Sequence, residues 1–224
     1  MINQRGALLL VAIVAMLAGW AFMSGLAVSA GGPAAAEPSK TEAPRATITG
    51  MVSVTKGNVP PMIVYLEAVD QNRVFPPPRQ PILVSQKEAT FVPEFIVISV
   101  GQTVVFPNDE DRPIEHNVFS RSSAKQFDLG LYPPGKSKSI TFDKPGKVRL
   151  FCSIHRYMDG LMFVCPTPFF SHVADDGRYR IANVPPGNYL VKTWQRKRRY
   201  REQSRPIEIK AGDAVTVDWE LRRK

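Results

Sequence analysis

The chain has 224 residues, with 29 Lys and Arg against 20 Asp and Glu and a formal net charge of +9. That length suits one large or two small domains, and 44% hydrophobic with 22% charged residues is ordinary for a globular protein, which excludes a low-complexity chain. Proline, 20 of 224 residues, is about 9% against an average near 5%; because it removes a backbone donor and breaks helix interiors, it argues for short strands and tight turns.

In chain order, Arg5 flanks an apolar run from Ala7 to about Val28, and Val28-Ser29-Ala30 fits the small-residue cleavage pattern of an export signal. The run is also long enough, at roughly 20 residues, to span a bilayer. Residues 1–30 are therefore expected to be a signal peptide or a membrane anchor. Either places the rest in the periplasm or another space outside the cytoplasm. Residues 31–45 are Ala, Pro, Glu, Ser, Thr and Lys without periodicity, the composition of a flexible linker. Strand patterns follow at 46–54, 62–69, 95–100, 103–106, 139–142, 148–152, 161–165, 179–181, 189–194, 207–209 and 214–219. They are rich in Val, Ile, Thr, Phe and Tyr, which suit a pleated, half-buried surface. No stretch after residue 45 holds a helical period. Turn residues at short intervals predict an all-β sandwich, with Pro134-Gly135 and Pro186-Gly187 as type II turns.

One constellation carries chemistry. Cys152-Ser-Ile-His155-Arg-Tyr-Met158 brings thiolate, imidazole and thioether together at C-x2-H-x2-M spacing. Val148, Leu150 and Cys152 share one strand face, so Cys152 is expected to point inward. Thiolate, imidazole and a weak axial thioether form the donor set of an electron-transfer copper site. The set needs a second imidazole, and His116, in Glu115-His116-Asn117-Val118, qualifies. Zinc accepts Cys and His but gains little from a thioether, so copper is preferred. A Cys152–Cys165 disulfide is the structural alternative in an exported chain. If the two flanking strands pair, five residues at about 3.3 Å each separate the cysteines by roughly 16 Å, beyond disulfide reach. Cys165 is then a buried free thiol or an intermolecular link, and His172 a surface residue.

From about Ile82 to Val164 the chain resembles the cupredoxins, on Phe91-Val-Pro-Glu-Phe-Ile-Val-Ile-Ser-Val-Gly-Gln-Thr-Val, Phe106-Pro-Asn108, His116-Asn117-Val118, Phe127-Asp128-Leu129-Gly130 and the closing Cys152-to-Gly160 segment. The two-residue gap between His155 and Met158 is most similar to amicyanin. The resemblance implies a Greek-key β-sandwich holding one type 1 (blue) copper at His116, Cys152, His155 and Met158. It implies also that Asn117 braces the loops around the thiolate and that electrons leave through His155. A second segment, Asp176-Gly-Arg-Tyr179 through Pro186-Gly-Asn-Tyr189, resembles the carboxypeptidase regulatory-like (transthyretin-like) sandwich. The strands that normally open that module lie a hundred residues earlier. The expected organisation is one discontinuous sandwich, 45–75 plus 167–224, with the cupredoxin, 76–166, inserted; the rival is a single enlarged cupredoxin.

With three histidines the chain cannot supply a trinuclear copper cluster, and no nucleophilic triad stands out, so an enzyme is not expected. The expected function is transfer of single electrons between redox partners. Copper binding or delivery without a redox circuit, and a structural interaction module, are the alternatives. The basic stretch Arg196, Lys197, Arg198, Arg199 and Arg201 is either a solvated strand end or hairpin loop, or a docking site for an acidic redox protein or anionic lipid. An exported chain rarely meets nucleic acid, so none is expected as partner, and a membrane only if the N-terminal segment stays uncleaved.

Overall fold

The computed structural model describes residues 43–197 and 199–224. The expected signal or anchor, most of the linker, and Arg198 lie outside the described residues. No helix among the described residues is long and apolar enough to cross a membrane.

The described chain is all-β. In order its strands are β1 (Ala46–Val54), β2 (Met62–Ala68), β3 (Ile82–Leu83), β4 (Ser85–Lys87), β5 (Thr90–Val92), β6 (Phe95–Ser99), β7 (Thr103–Pro107), β8 (Phe119–Ser122), β9 (Lys125–Asp128) and β10 (Ser137–Thr141), then β11 (Gly146–Phe151), β12 (Asp159–Cys165), β13 (Phe170–His172), β14 (Arg178–Val184), β15 (Gly187–Gln195), β16 (Ser204–Ile209), β17 (Ala214–Thr216) and β18 (Trp219–Leu221). The strands sort into two groups. β14-β1-β17, with β18 also on β1, forms one sheet and β13-β2-β15-β16 another. β10-β7-β3 and β6-β12-β11-β8-β9 form two more, with β4-β5 a separate hairpin. Every ladder among the described strands stays within its group, so β3 to β12 pair only with one another.

Each group closes on its own core. Ile48, Leu66, Tyr189 and Trp219 are buried between the first two sheets. Ile98, Phe106, Phe142 and Leu150 are buried between the second two. A third cluster, Ile63, Val97, Phe163, Cys165 and Trp194, joins the groups. It explains why Met62–Leu66 of β2 and Leu161–Cys165 of β12 read as apolar runs, since a strand covered on both faces has no solvent side to alternate with. On β12, Met162 and Val164 enter one core while Phe163 and Cys165 enter the junction. Trp194 stacks on Phe163 at 4.3 Å between ring centroids and on Phe95 at 5.7 Å. Burial pushes the Cys165 thiol well above its ordinary pKa, so it is an inert apolar filler there.

The sequence expectation names the long strands. It omits β3, β4, β5, β8, β9 and β13, which are short and, except for β3 and β5, mostly polar; β9 is Lys-Gln-Phe-Asp. Pro134-Gly135 turns as expected, with Gly135 at φ 74°, whereas Gly187 opens β15 at φ 150°. Gly160 lies within β12. Its bareness admits Phe91, whose ring carbon would lie 3.1 Å from an added Cβ.

Candidate metal centre

The register of β11 against β12 runs from Gly146↔Val164 to Phe151↔Asp159. Cys152 therefore leaves β11 at the loop end of this hairpin, and Cys165 lies at its other end. Alternation along β11 buries Val148 and Leu150, and Cys152 continues that face into the core at 5% exposure. The loop closes on its own backbone. Cys152 N donates to Met158 O (3.3 Å) and Met158 N to His155 O (3.0 Å). This folds His155 back beside the thiol and buries Met158 in the same core.

His116 arrives just before β8. Its backbone exchanges two hydrogen bonds with Tyr132: His116 N donates to Tyr132 O, and Tyr132 N to His116 O, at 3.2 and 2.9 Å. Asn117 ties the two ligand-bearing loops together. Its Oδ1 accepts from Ser153 N (2.7 Å) and Ser153 Oγ (2.9 Å), while Nδ2 donates to Asp128 Oδ1 (3.1 Å).

The result is a compact donor cluster. Cys152 Sγ lies 3.8 Å from His116 Nδ1 and 3.7 Å from His155 Nδ1, and the three donor atoms all fall within 4.8 Å of one another. Bond lengths of about 2.3 Å to thiolate and 2.0 Å to imidazole, typical of a small divalent ion, subtend roughly 3.7 Å when the angle between them is near 120°. Both sulfur–nitrogen distances are those of one ion held between thiolate and imidazole. His116 is fully buried, whereas His155 is half-buried, the ring that reaches solvent.

Glu110 is a partner that the sequence reading missed. His116 Nε2 donates to Glu110 Oε1 at 2.9 Å, with both side chains buried. Burial alone would raise the Glu110 pKa. The Ala89 and Glu88 amides and the His116 ring outweigh it and hold the carboxyl below its usual value. An ionised carboxylate can only accept, so the ring proton stays on Nε2 and the lone pair of Nδ1 faces the thiol. The Ala89 amide reaches Glu110 (2.9 Å) from the β4–β5 turn, where Glu88 and Ala89 stand at φ 52° and 53°. Both central residues of a two-residue hairpin of this kind need positive φ, for which Asn-Gly is the usual pair. Here the bond to Glu110 offsets the strain.

The basic residues are not members of the donor cluster. Arg196, Lys197, Arg199 and Arg201 are exposed in the β15–β16 connection, and Arg196 Nη2 is 3.2 Å from Glu94 Oε2. His172 is exposed on β13, edge-on to Phe95 and Phe170, and is not a member of the cluster. A surface cavity of about 640 Å³ borders Thr49, His172, Tyr179 and Asp218; it lies on the other strand group and does not touch the cluster.

No protein-family model matches the chain, and no curated protein does. Several solved structures are similar to part of it. A purple cupredoxin from Nitrosopumilus maritimus is 23% identical over 37% of this chain and 98% of its own, with a TM-score of 0.33. A copper-containing nitrite reductase from Thermus scotoductus SA-01 is 25% identical over 50% of this chain, with a TM-score of 0.37, and this chain spans only 28% of it. An oxidized mutant of amicyanin is 20% identical over 38% of this chain and 81% of its own, with a TM-score of 0.34. Likeness at these scores is partial; the chemistry of the site rests on its own side chains.

Proposed function

We propose that the chain is an exported carrier of single electrons, not an enzyme, holding one type 1 copper with His116, Cys152, His155 and Met158. The observation that carries this reading is the convergence of two imidazole Nδ1 atoms on one buried thiol at 3.7 and 3.8 Å, with a buried methionine closing the same loop. The ring and thiol spacing alone would also suit zinc; the thioether favours copper. When bound, copper supplies a one-electron couple that this mixed soft and imidazole donor set accommodates in both oxidation states.

The residues around it hold that set in place. Glu110 fixes the tautomer and angle of His116. Asn117 locks the 152–158 loop to the His116 segment. Met158, at 1% exposure, keeps water from the buried side. His155, the half-buried ring, is the edge through which an electron crosses to a partner. The confinement of strand pairing to two groups supports the reading of 76–166 as a copper domain inserted in a carboxypeptidase regulatory-like sandwich of 45–75 plus 167–224. Export is inferred from the sequence of residues 1–30.

The test is a visible-absorption and EPR titration of the full chain with Cu(II), beside Cys152→Ser. An intense blue band saturating at one copper per chain and lost in the variant is expected. A colourless chain, or copper bound equally by Cys152→Ser, would turn the reading toward copper delivery or a structural module.

A further inference from the structure

Cations far apart in sequence meet at one end of the molecule. Tyr200 bridges Arg223 in an antiparallel pairing, Arg201 N donates to Arg222 O (3.2 Å), and Lys224 N donates to Arg199 O (3.1 Å). Tyr200 Oη donates to Lys56 O at 2.7 Å. Lys56, the 196–201 connection and the run Arg222-Arg223-Lys224 thus form one patch, exposed at every described position but Tyr200. The acids on the same segments are Glu202 and Glu220. A groove of about 470 Å³ between Val59, Pro60 and the side chains of Arg196, Lys197 and Arg199 opens in it.

The patch belongs to the strand group of β1, β2 and β13 to β18, yet it lies at the metal end of the other group. Arg196 pairs with Glu94, and Glu94 O accepts from Leu161 N at 2.8 Å, three residues beyond Met158. The stack of Trp194 on Phe163 and Phe95 fixes β15, and so its loop, against that end. There His155 emerges between Ile154, 50% exposed, and Tyr157, 72% exposed, the Tyr157 ring 6.1 Å from its own.

We propose that an acidic electron-transfer protein docks across both strand groups, its apolar contact on Ile154 and Tyr157 around His155 and its carboxylates on the cation patch. This rests on the electron-carrier reading and names its partner. Charge complementarity selects an acidic surface, and the adjoining apolar side chains suit a protein better than a polyanion.

The experiment uses the full chain and a Lys197→Glu, Arg201→Glu, Arg223→Glu variant. Stopped-flow electron transfer is measured with two c-type cytochromes of similar potential, one net negative and one net positive. The negative cytochrome should react at least about 10-fold faster at low salt. That advantage should fall by about 10-fold in 0.3 M salt and in the variant, with the blue band unchanged. Equal rates, or a rate indifferent to salt and to the substitutions, overturn the proposal. So does binding to phosphatidylserine vesicles that the variant loses while the two cytochromes react alike. Calorimetric affinity of the metal-free chain for the negative cytochrome should show the same 10-fold loss in the variant. A colourless chain that still shows it would refute the copper reading alone; a colourless chain without it would refute both.

Discussion

The two strand groups bury their polar side chains differently. In the β3–β12 group, Gln86, Asn108, Glu110, His116 and Asn117 are buried and linked in chains about the ligand loops. Asn108 Nδ2 donates to Ile114 O and Tyr132 O, and its Oδ1 accepts from Glu110 N; Tyr132 Oη donates to Phe106 O (3.0 Å). In the other group the buried polar side chains are Thr167, Thr193 and Gln195, each spent on a connection. Gln195 Oε1 accepts from Arg199 N and Tyr200 N, which shapes the basic loop. A buried polar network costs free energy unless fully satisfied. One group accepts that cost at a donor cluster. The other keeps an apolar core and positions surface charge.

The comparison breaks most sharply at the junction. Trp194→Ala removes the ring stacked on Phe163 and Phe95 and should cost about 3–5 kcal/mol. Denaturant unfolding should lose its single transition, the two groups melting separately. The blue band should survive, because Trp194 packs in the junction cluster and not in the core that holds Cys152 and Met158.

Next in size is the pair of buried and half-buried carboxylates. Glu110→Gln keeps the shape of the acceptor but no longer dictates the His116 tautomer; copper affinity, read by chelator competition, should fall about 10- to 100-fold. Glu67, which accepts from Lys192 at 2.5 Å in the other group, is a contrast. Glu67→Gln should change stability by at most about 1 kcal/mol and leave copper affinity alone. Equal effects of the two substitutions would erase the distinction drawn between the groups.

Asn117→Ala comes third. It leaves the Ser153 amide without its acceptor, a loss of about 1–3 kcal/mol. Copper should dissociate faster while the thermal midpoint falls only modestly, since the strands themselves are untouched.

The sequence shows the donor set because Cys152, His155 and Met158 sit on one loop, where spacing is geometry. It shows the long strands because β1, β11 and β14 alternate and the central runs Met62–Leu66 of β2 and Leu161–Cys165 of β12 carry no charged residue. Glu110 was hidden in Asp109-Glu110-Asp111, three acids of which only the middle one turns inward, and only the strained Glu88-Ala89 turn reveals why. That turn lacked the Asn-Gly signal, so β4 and β5 went unseen as well. The full extent of the cation patch was equally hidden, because Arg222-Arg223-Lys224 joins the 196–201 connection by backbone pairing at a distance. Sequence runs display charge along the chain, not across it.

The smallest expected effect sets His172 apart from the two histidines of the cluster. Partial desolvation of its exposed ring, which packs edge-on to Phe95 and Phe170, lowers its pKa below the ordinary 6.5. The unfolded chain then binds this proton at a higher pH than the folded one. Its contribution is fully present above pH 6.5 and is lost as pH falls from there through the lower folded value, after which it is flat. Over that window His172→Gln should remove a shallow slope from stability against pH, measured by urea midpoints with copper saturating in both proteins, and leave the absorption band unmoved. A slope that persists in the variant would trace instead to other groups, and a band that shifts would tie His172 to a site it does not touch.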